Sequence, residues 1–93
     1  MKLPPRVKIR LFHELRATIG QSELEIEANT LNDVLDALIS RQRSLKEMFF
    51  DSKGSLRGYT QFYVNNKVQN LPDLFAKLDD GDLIVLIPLA AGG

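Results

Sequence analysis

Hydrophobic and polar positions along the chain follow two rhythms. Val7, Ile9 and Leu11 alternate with Lys8, Arg10 and Phe12, which predicts a strand over 7–11 with its aliphatic side buried. Leu24 and Ile26 alternate with Glu23, Glu25 and Glu27, a second strand whose acidic outer face suits a solvated sheet edge. Between the two strands, Leu15 and Ile19 are spaced for about one helical turn over 14–19, which Gly20 can close in a left-handed conformation. The helical rhythm is clearest after Thr30. Leu31, Val34, Leu35, Leu38 and Ile39 make one continuous apolar stripe, and Thr30-x-x-Asp33 supplies a capping pattern at its start. Asp33 and Asp36 come early and Arg41 and Arg43 late, the order a helix dipole favours. Leu45, Met48 and Phe49 repeat the spacing over a further short turn, and 51–55 reads as a loop.

A third strand is expected over 61–65, turning at Asn65-Asn66, since asparagine tolerates positive φ, and returning as a short fourth strand over 67–69. Leu71, Leu74, Phe75 and Leu78 again have helical spacing, cut to one or two turns by Pro72. Asp79-Asp80-Gly81-Asp82 is a turn that launches Leu83, Ile84, Val85, Leu86 and Ile87, a strand apolar enough to want protein on both faces. Pro88 has no N–H and should stop it. Residues 1–6 are expected to be a loose leader because of Pro4 and Pro5, and 88–93 an extended tail, within one domain over 1–93. The class is α+β. The first and last strands should be central neighbours, with one long helix on one side of the sheet. The other side is then left to solvent or a partner. It would carry Lys8, Arg10 and Phe12 plus either Ile84 and Leu86 or Leu83, Val85 and Ile87, an apolar patch with basic neighbours.

Composition narrows the function. Hydrophobic residues at 44% and charged residues at 26% describe a folded chain rather than a disordered one. Twelve basic and twelve acidic side chains leave no bulk charge for nucleic acid or an anionic membrane. The absence of cysteine excludes a disulfide framework, a thiol nucleophile and a thiolate metal site. The longest apolar run, 83–91, is about half the ~20 residues of a membrane helix, and the N-terminal residues do not resemble a signal peptide, so a soluble cytoplasmic protein is expected. His13 stands alone, Asp79, Asp80 and Asp82 lack the spacing of a calcium loop, and no metal site is expected. No glycine-rich phosphate loop occurs, so this chain should bind no cofactor of its own. Gly92-Gly93 is different. Two random positions are both glycine roughly 0.5% of the time, and residues without side chains pass through a narrow channel. From Leu89 to Gly93 the chain reaches about 17 Å when extended, which makes the Gly93 carboxylate, beside Gly92, the candidate for chemistry.

Several stretches, weak singly, are persuasive in order: Val7-Lys8-Ile9-Arg10-Leu11-Phe12, Glu14-Leu15-Arg16, Ile19-Gly20, Val64-Asn65-Asn66, Asp80-Gly81-Asp82 and Pro88 to Gly93. Together they resemble the MoaD/ThiS family of ubiquitin-like sulfur carriers, closest to the small subunit of molybdopterin synthase. The resemblance implies the β-grasp fold, a mixed four- to five-stranded sheet with one main helix packed on one face. It implies that a ubiquitin-activating-type adenylating enzyme, using ATP and magnesium, adenylates Gly93. Sulfur then displaces AMP to leave a thiocarboxylate, used within the large subunit of molybdopterin synthase, which holds the catalytic residues. A modifier joined to lysines through Gly93 and a thiamine-type sulfur carrier are similar alternatives. The family register puts Ile84 and Leu86 in the core and Val85 and Ile87 on the partner face. Phe12 and Val68 match docking positions, and Pro88, Leu89, Ala90 and Ala91 form the tail presented to partners. The family's end often reads Pro-Pro-Val-x-Gly-Gly; here Leu89 replaces the second proline, making a less stiff tail.

Overall fold

The computed structural model describes residues 3–70 and 72–89. β1 (Arg6–Leu11) buries Val7, Ile9 and Leu11 and keeps Lys8 and Arg10 on the outside, as alternation requires. α1 (His13–Ile19) buries Leu15 and closes on Gly20 at φ 86°, whose N–H donates to the Arg16 carbonyl at 2.8 Å. β2 (Glu23–Glu27) returns antiparallel to β1, pairing Ile9 with Leu24 and Arg10 with Glu23.

α2 (Leu31–Arg41) begins where the cap pattern places it. Thr30 Oγ1 accepts the Asp33 N–H at 3.2 Å, and Asp33 Oδ2 reaches back to accept the Asn29 N–H at 3.0 Å. Its stripe of Leu31, Val34, Leu35 and Leu38 is buried against the sheet, each side chain contributing about 1.5–3 kcal/mol of transfer free energy. α3 (Leu45–Phe49) adds Leu45 and Phe49 to the same core. β3 (Thr60–Val64) and β4 (Lys67–Gln69) form a hairpin through Asn65 at φ 51° and Asn66 at φ 71°. β5 (Leu83–Pro88) completes a five-stranded sheet in the order β2-β1-β5-β3-β4, parallel between β1 and β5 and antiparallel elsewhere. The central place of β5 between β1 and β3 explains its unbroken apolar run. Ile84 and Leu86 are fully buried, so the register implied by the family resemblance is the one adopted.

Four boundaries differ from the sequence reading. β1 starts at Arg6, inside the expected leader, because the Arg6 N–H is held by Asp80 Oδ1 at 2.9 Å and the Pro5 carbonyl by the Ala28 N–H at 3.0 Å. β3 lies one residue earlier than 61–65, since Asn65 is already in the turn. Leu74, Phe75 and Leu78 do not form a helix; Leu71, expected on the same stripe, is outside the described residues. Instead this segment finds its hydrogen bonds at the amino end of α2. The Asn32 N–H donates to Leu74 O and the Leu78 N–H to Asn29 O, both at 2.8 Å, and Thr30 forms a bridge with Lys77. Phe75 is thereby left in solvent.

The fourth difference is Pro88. The Asn65 N–H donates to Leu83 O at 2.8 Å and the Leu89 N–H to Tyr59 O at 2.7 Å. Hydrogen-bonded pairs alternate along an antiparallel ladder. Pro88, opposite Thr60, therefore occupies a non-bonded position where β3 needs nothing from its nitrogen. On its other side β1 has already ended, with Leu11 against Leu86. The proline ends the strand but not the pairing, which runs on to Leu89.

Candidate functional site

One face of the sheet is covered by the helices, and the other is open. Register assigns its residues. Glu23, Arg10, Val85, Tyr63 and Val68 are successive cross-strand partners and form one row across all five strands. Gln61 lies opposite Ile87 in the neighbouring row, and Lys8 joins Glu25 to Leu83 on the far side. Phe12 follows β1 at the level of Ile87, because Leu11 pairs with Leu86.

The row divides into a charged half and an apolar half. On β1 and β2, Arg10 Nε meets Glu23 Oε2 at 3.0 Å, Lys8 Nζ lies 3.7 Å from Glu23 Oε1, and Arg6 Nε lies 3.9 Å from Glu25 Oε1. The Arg10 hydrogen bond, with the charges of Lys8 and Arg10 beside it, holds the Glu23 carboxyl below its ordinary range. The basic neighbours expected beside the apolar patch are thus paired within the sheet. Glu23 and Glu25, expected to be simply solvated, are their partners.

The apolar half surrounds the end of β5. Val85 and Ile87 are half-buried, while Phe12 is 39%, Val68 42%, Leu89 46% and Tyr59 48% exposed. Tyr63 OH donates to Gln61 Oε1 at 3.3 Å between them. On the α1 side, His13, Glu14, Pro88 and Leu89 line a shallow cavity of about 280 Å³. His13 has φ 53°, and its ring centroid lies 6.3 Å from that of Phe12. The structure therefore gathers Phe12, Val85, Ile87, Pro88 and Leu89 around one end of the sheet, with Val68 at the β4 edge of the same face. Ala90, Ala91, Gly92 and Gly93, the rest of the expected site, lie outside the described residues. Leu83, one of the two sets that alternation allowed for the last strand, belongs to this face, and so do Tyr59, Gln61 and Tyr63, which were not singled out from sequence. Alternation marked Gln61 and Tyr63 as sharing a side, but only the pairing of β3 with β5 says which side. Among the described residues no group of three or more His, Cys, Asp or Glu side chains gathers to hold a metal. No helix among them is long and apolar enough to cross a membrane. Leu89, the last described residue, lies at the apolar end of this face.

The model of the ThiS family matches residues 9–93. This chain belongs to the ThiS family. Its fold is the ubiquitin-like β-grasp of that family's sulfur carriers and protein modifiers. The small archaeal modifier protein 1 of Methanosarcina acetivorans is 31% identical over 96% of this chain and 97% of its own, with a TM-score of 0.80. A chain of the Amycolatopsis orientalis BexX/CysO complex is 26% identical over 94% of this chain and 99% of its own, with a TM-score of 0.75. A Pyrococcus furiosus protein provisionally described as molybdopterin converting factor subunit 1 shares the fold at 22% identity, covering 92% of this chain and 99% of its own, with a TM-score of 0.70. No curated protein sequence matches the chain.

Proposed function

We propose that this ThiS-family chain is a sulfur carrier acting as the small subunit of molybdopterin synthase, with the reacting group at Gly93. The observation that carries the reading is the apolar apron of Phe12, Tyr59, Val85, Ile87 and Leu89 around the end of β5, within a family match that runs to residue 93. An exposed apolar surface of this kind marks a protein contact. It would seat a ubiquitin-activating-type adenylating enzyme, which binds ATP and magnesium, and afterwards the large synthase subunit. Val85, Ile87, Phe12 and Val68 supply the docking surface, and Pro88 to Ala91 lead the carboxylate into the partner's site.

A carboxylate is a poor acyl donor, and adenylation gives it a good leaving group. The Gly93 carboxylate attacks the α-phosphate of ATP and releases pyrophosphate. A persulfide sulfur then displaces AMP, and a thiol cleaves the resulting S–S bond to leave the thiocarboxylate. The chain itself supplies no general acid or base. Glycine at 92 and 93 lets the partner's walls approach the backbone. The test is intact mass after incubation with the activating enzyme, ATP, magnesium and a sulfur source. One oxygen-to-sulfur exchange localised to Gly93 is expected, and no exchange with any cognate activator refutes the reading.

A second reading has its own support: the Methanosarcina relative is a small archaeal modifier protein. In that case Gly93 is joined to lysines of target proteins. Digested cell extracts would then carry Gly-Gly remnants on target lysines that disappear when this chain is deleted. Transfer of sulfur to a pterin precursor by the thiocarboxylated chain and the large subunit discriminates in favour of the first reading.

A further inference from the structure

We propose that Arg57 is a positioning residue for the tail. It holds Tyr59 where the Tyr59 carbonyl fixes the Leu89 N–H, and so sets the line along which the chain leaves the sheet. The contacts form a continuous path. The Arg57 N–H donates to Phe49 O at 2.7 Å, and its Nε donates to Glu47 O at 2.9 Å and Phe50 O at 3.2 Å. These are carbonyls at the C-terminal end of α3, where helical partners run out. Phe50 and Leu56 form a bridge beside them, so the loop from α3 to β3 is cinched onto the helix end. The same guanidinium lies over the Tyr59 ring, 5.5 Å from its centroid, within the range of a cation–π contact. Tyr59 O in turn accepts the Leu89 N–H at 2.7 Å, the last rung before the tail.

Both parts of the arginine are used. Nε donates to two carbonyls while the guanidinium carbon lies over the aromatic ring, a combination that a lysine ammonium, which has no Nε–H, cannot reproduce. Tyr59 is about half exposed, so core packing alone does not hold its ring. Pro88 gives no hydrogen bond on the other side, and β1 has ended at Leu11, so Leu89 N–H to Tyr59 O is the single backbone tie fixing the tail's root to the sheet among the described residues. Arg57 does not reach the reacting carboxylate: with the tail extended into a partner, Gly93 lies about 14 Å beyond Leu89. Its effect is to reduce the number of conformers that a partner must sort. Why this direction matters rests on the sulfur-carrier reading.

The experiment compares Arg57→Lys, Tyr59→Ala and Tyr59→Phe by ¹⁵N relaxation of the free chain and by activation kinetics. In the parent, the Leu89 amide should have an order parameter near the rigid value of about 0.85, falling below about 0.6 in Arg57→Lys and Tyr59→Ala. Leu86 should be unchanged in all, and Tyr59→Phe, which keeps the ring, should keep the parent's Leu89 order parameter. With the activating enzyme, kcat/KM should fall about tenfold in Arg57→Lys, which leaves the docking apron intact, through KM, because the partner must fix one more residue. A Leu89 amide that stays rigid in Arg57→Lys and Tyr59→Ala overturns the proposal. So does a loosened Leu89 with unaltered activation. If the parent chain is not activated at all, the sulfur-carrier reading falls, and the Leu89 order parameter alone decides whether Arg57 holds the root.

Discussion

Asn65 ties the β3–β4 turn to the start of β5, and replacing it should be among the costliest single changes outside the core. Its Oδ1 accepts the Leu83 N–H at 2.9 Å, its Nδ2 donates to Asp82 Oδ1 at 2.8 Å, and its backbone sits at φ 51°. Asn65→Ala keeps the backbone bond to Leu83 O but removes both side-chain bonds. Each of these exposed bonds is worth the lower part of about 0.5–1.5 kcal/mol. Alanine also pays about 1–2 kcal/mol for the left-handed conformation, which asparagine enters more easily. The expected loss is about 2–3 kcal/mol. For a chain of this size that lowers Tm by roughly 10–20 °C, at about 4–8 °C per kcal/mol. Asn65→Gly restores the backbone freedom and should lose about 1 kcal/mol less, despite the added entropy of the unfolded chain. Urea unfolding of the three proteins at neutral pH measures both quantities. An Asn65→Ala variant within 0.5 kcal/mol of the parent refutes the assignment of Asn65 as a tie. Equal loss in the alanine and glycine variants refutes the conformational half of it.

The buried Thr60 Oγ1 has no hydrogen-bond partner among the described residues, so Thr60→Val, which keeps the shape, should stabilise the fold by about 1 kcal/mol in denaturant titration; a loss of stability would mean that the hydroxyl is satisfied. Glu23 has a folded-state pKa lowered from its ordinary 4.5, chiefly by Arg10. Its stabilising contribution is therefore present above pH 4.5 and lost as the pH falls through the lowered value. Glu23→Gln should accordingly show a Tm deficit at pH 7 that vanishes at low pH and shrinks in high salt, where exposed pairs are screened; a deficit independent of both would assign the effect to packing. Val85→Arg places a charge among Tyr63, Ile87 and Arg10 on the open face. It should leave cooperative unfolding intact while weakening binding of the activating enzyme by at least about a hundredfold, the scale of a central interface residue. Unchanged binding, measured by calorimetry, would move the docking surface elsewhere.

The alternation of Val7, Ile9 and Leu11, the Thr30 cap and stripe of α2, the asparagine turn and the aliphatic run of β5 are all local patterns, and each gives the element it predicts. Leu74, Phe75 and Leu78 carry an equally helical spacing and form none. There the amino end of α2 offers hydrogen bonds that spacing cannot show. The candidate site divides in the same way. Alternation in β1 put Phe12 on the open side, while for Val85 and Ile87 it left two choices that the family resemblance decided, along with the roles of Pro88 and Leu89. Tyr59 and Tyr63 were not visible, because their side of β3 depends on a partner more than twenty residues away.

The sequence by itself determined which segments form strands and the main helix, to within a residue or so at their ends, and which side of β1 is buried. Those properties depend on intrinsic backbone preference and on side-chain periods of two and 3.6 residues, both written within a few positions. The tertiary structure alone decided that Lys8 and Arg10 are paired with glutamates. It also decided that Pro88 falls where a missing N–H costs nothing, and that Arg57, Tyr59 and Leu89 meet at the root of the tail. These depend on register between segments distant in the chain. A shift of one residue would exchange every inward and outward side chain of β5 while leaving its local sequence pattern unchanged.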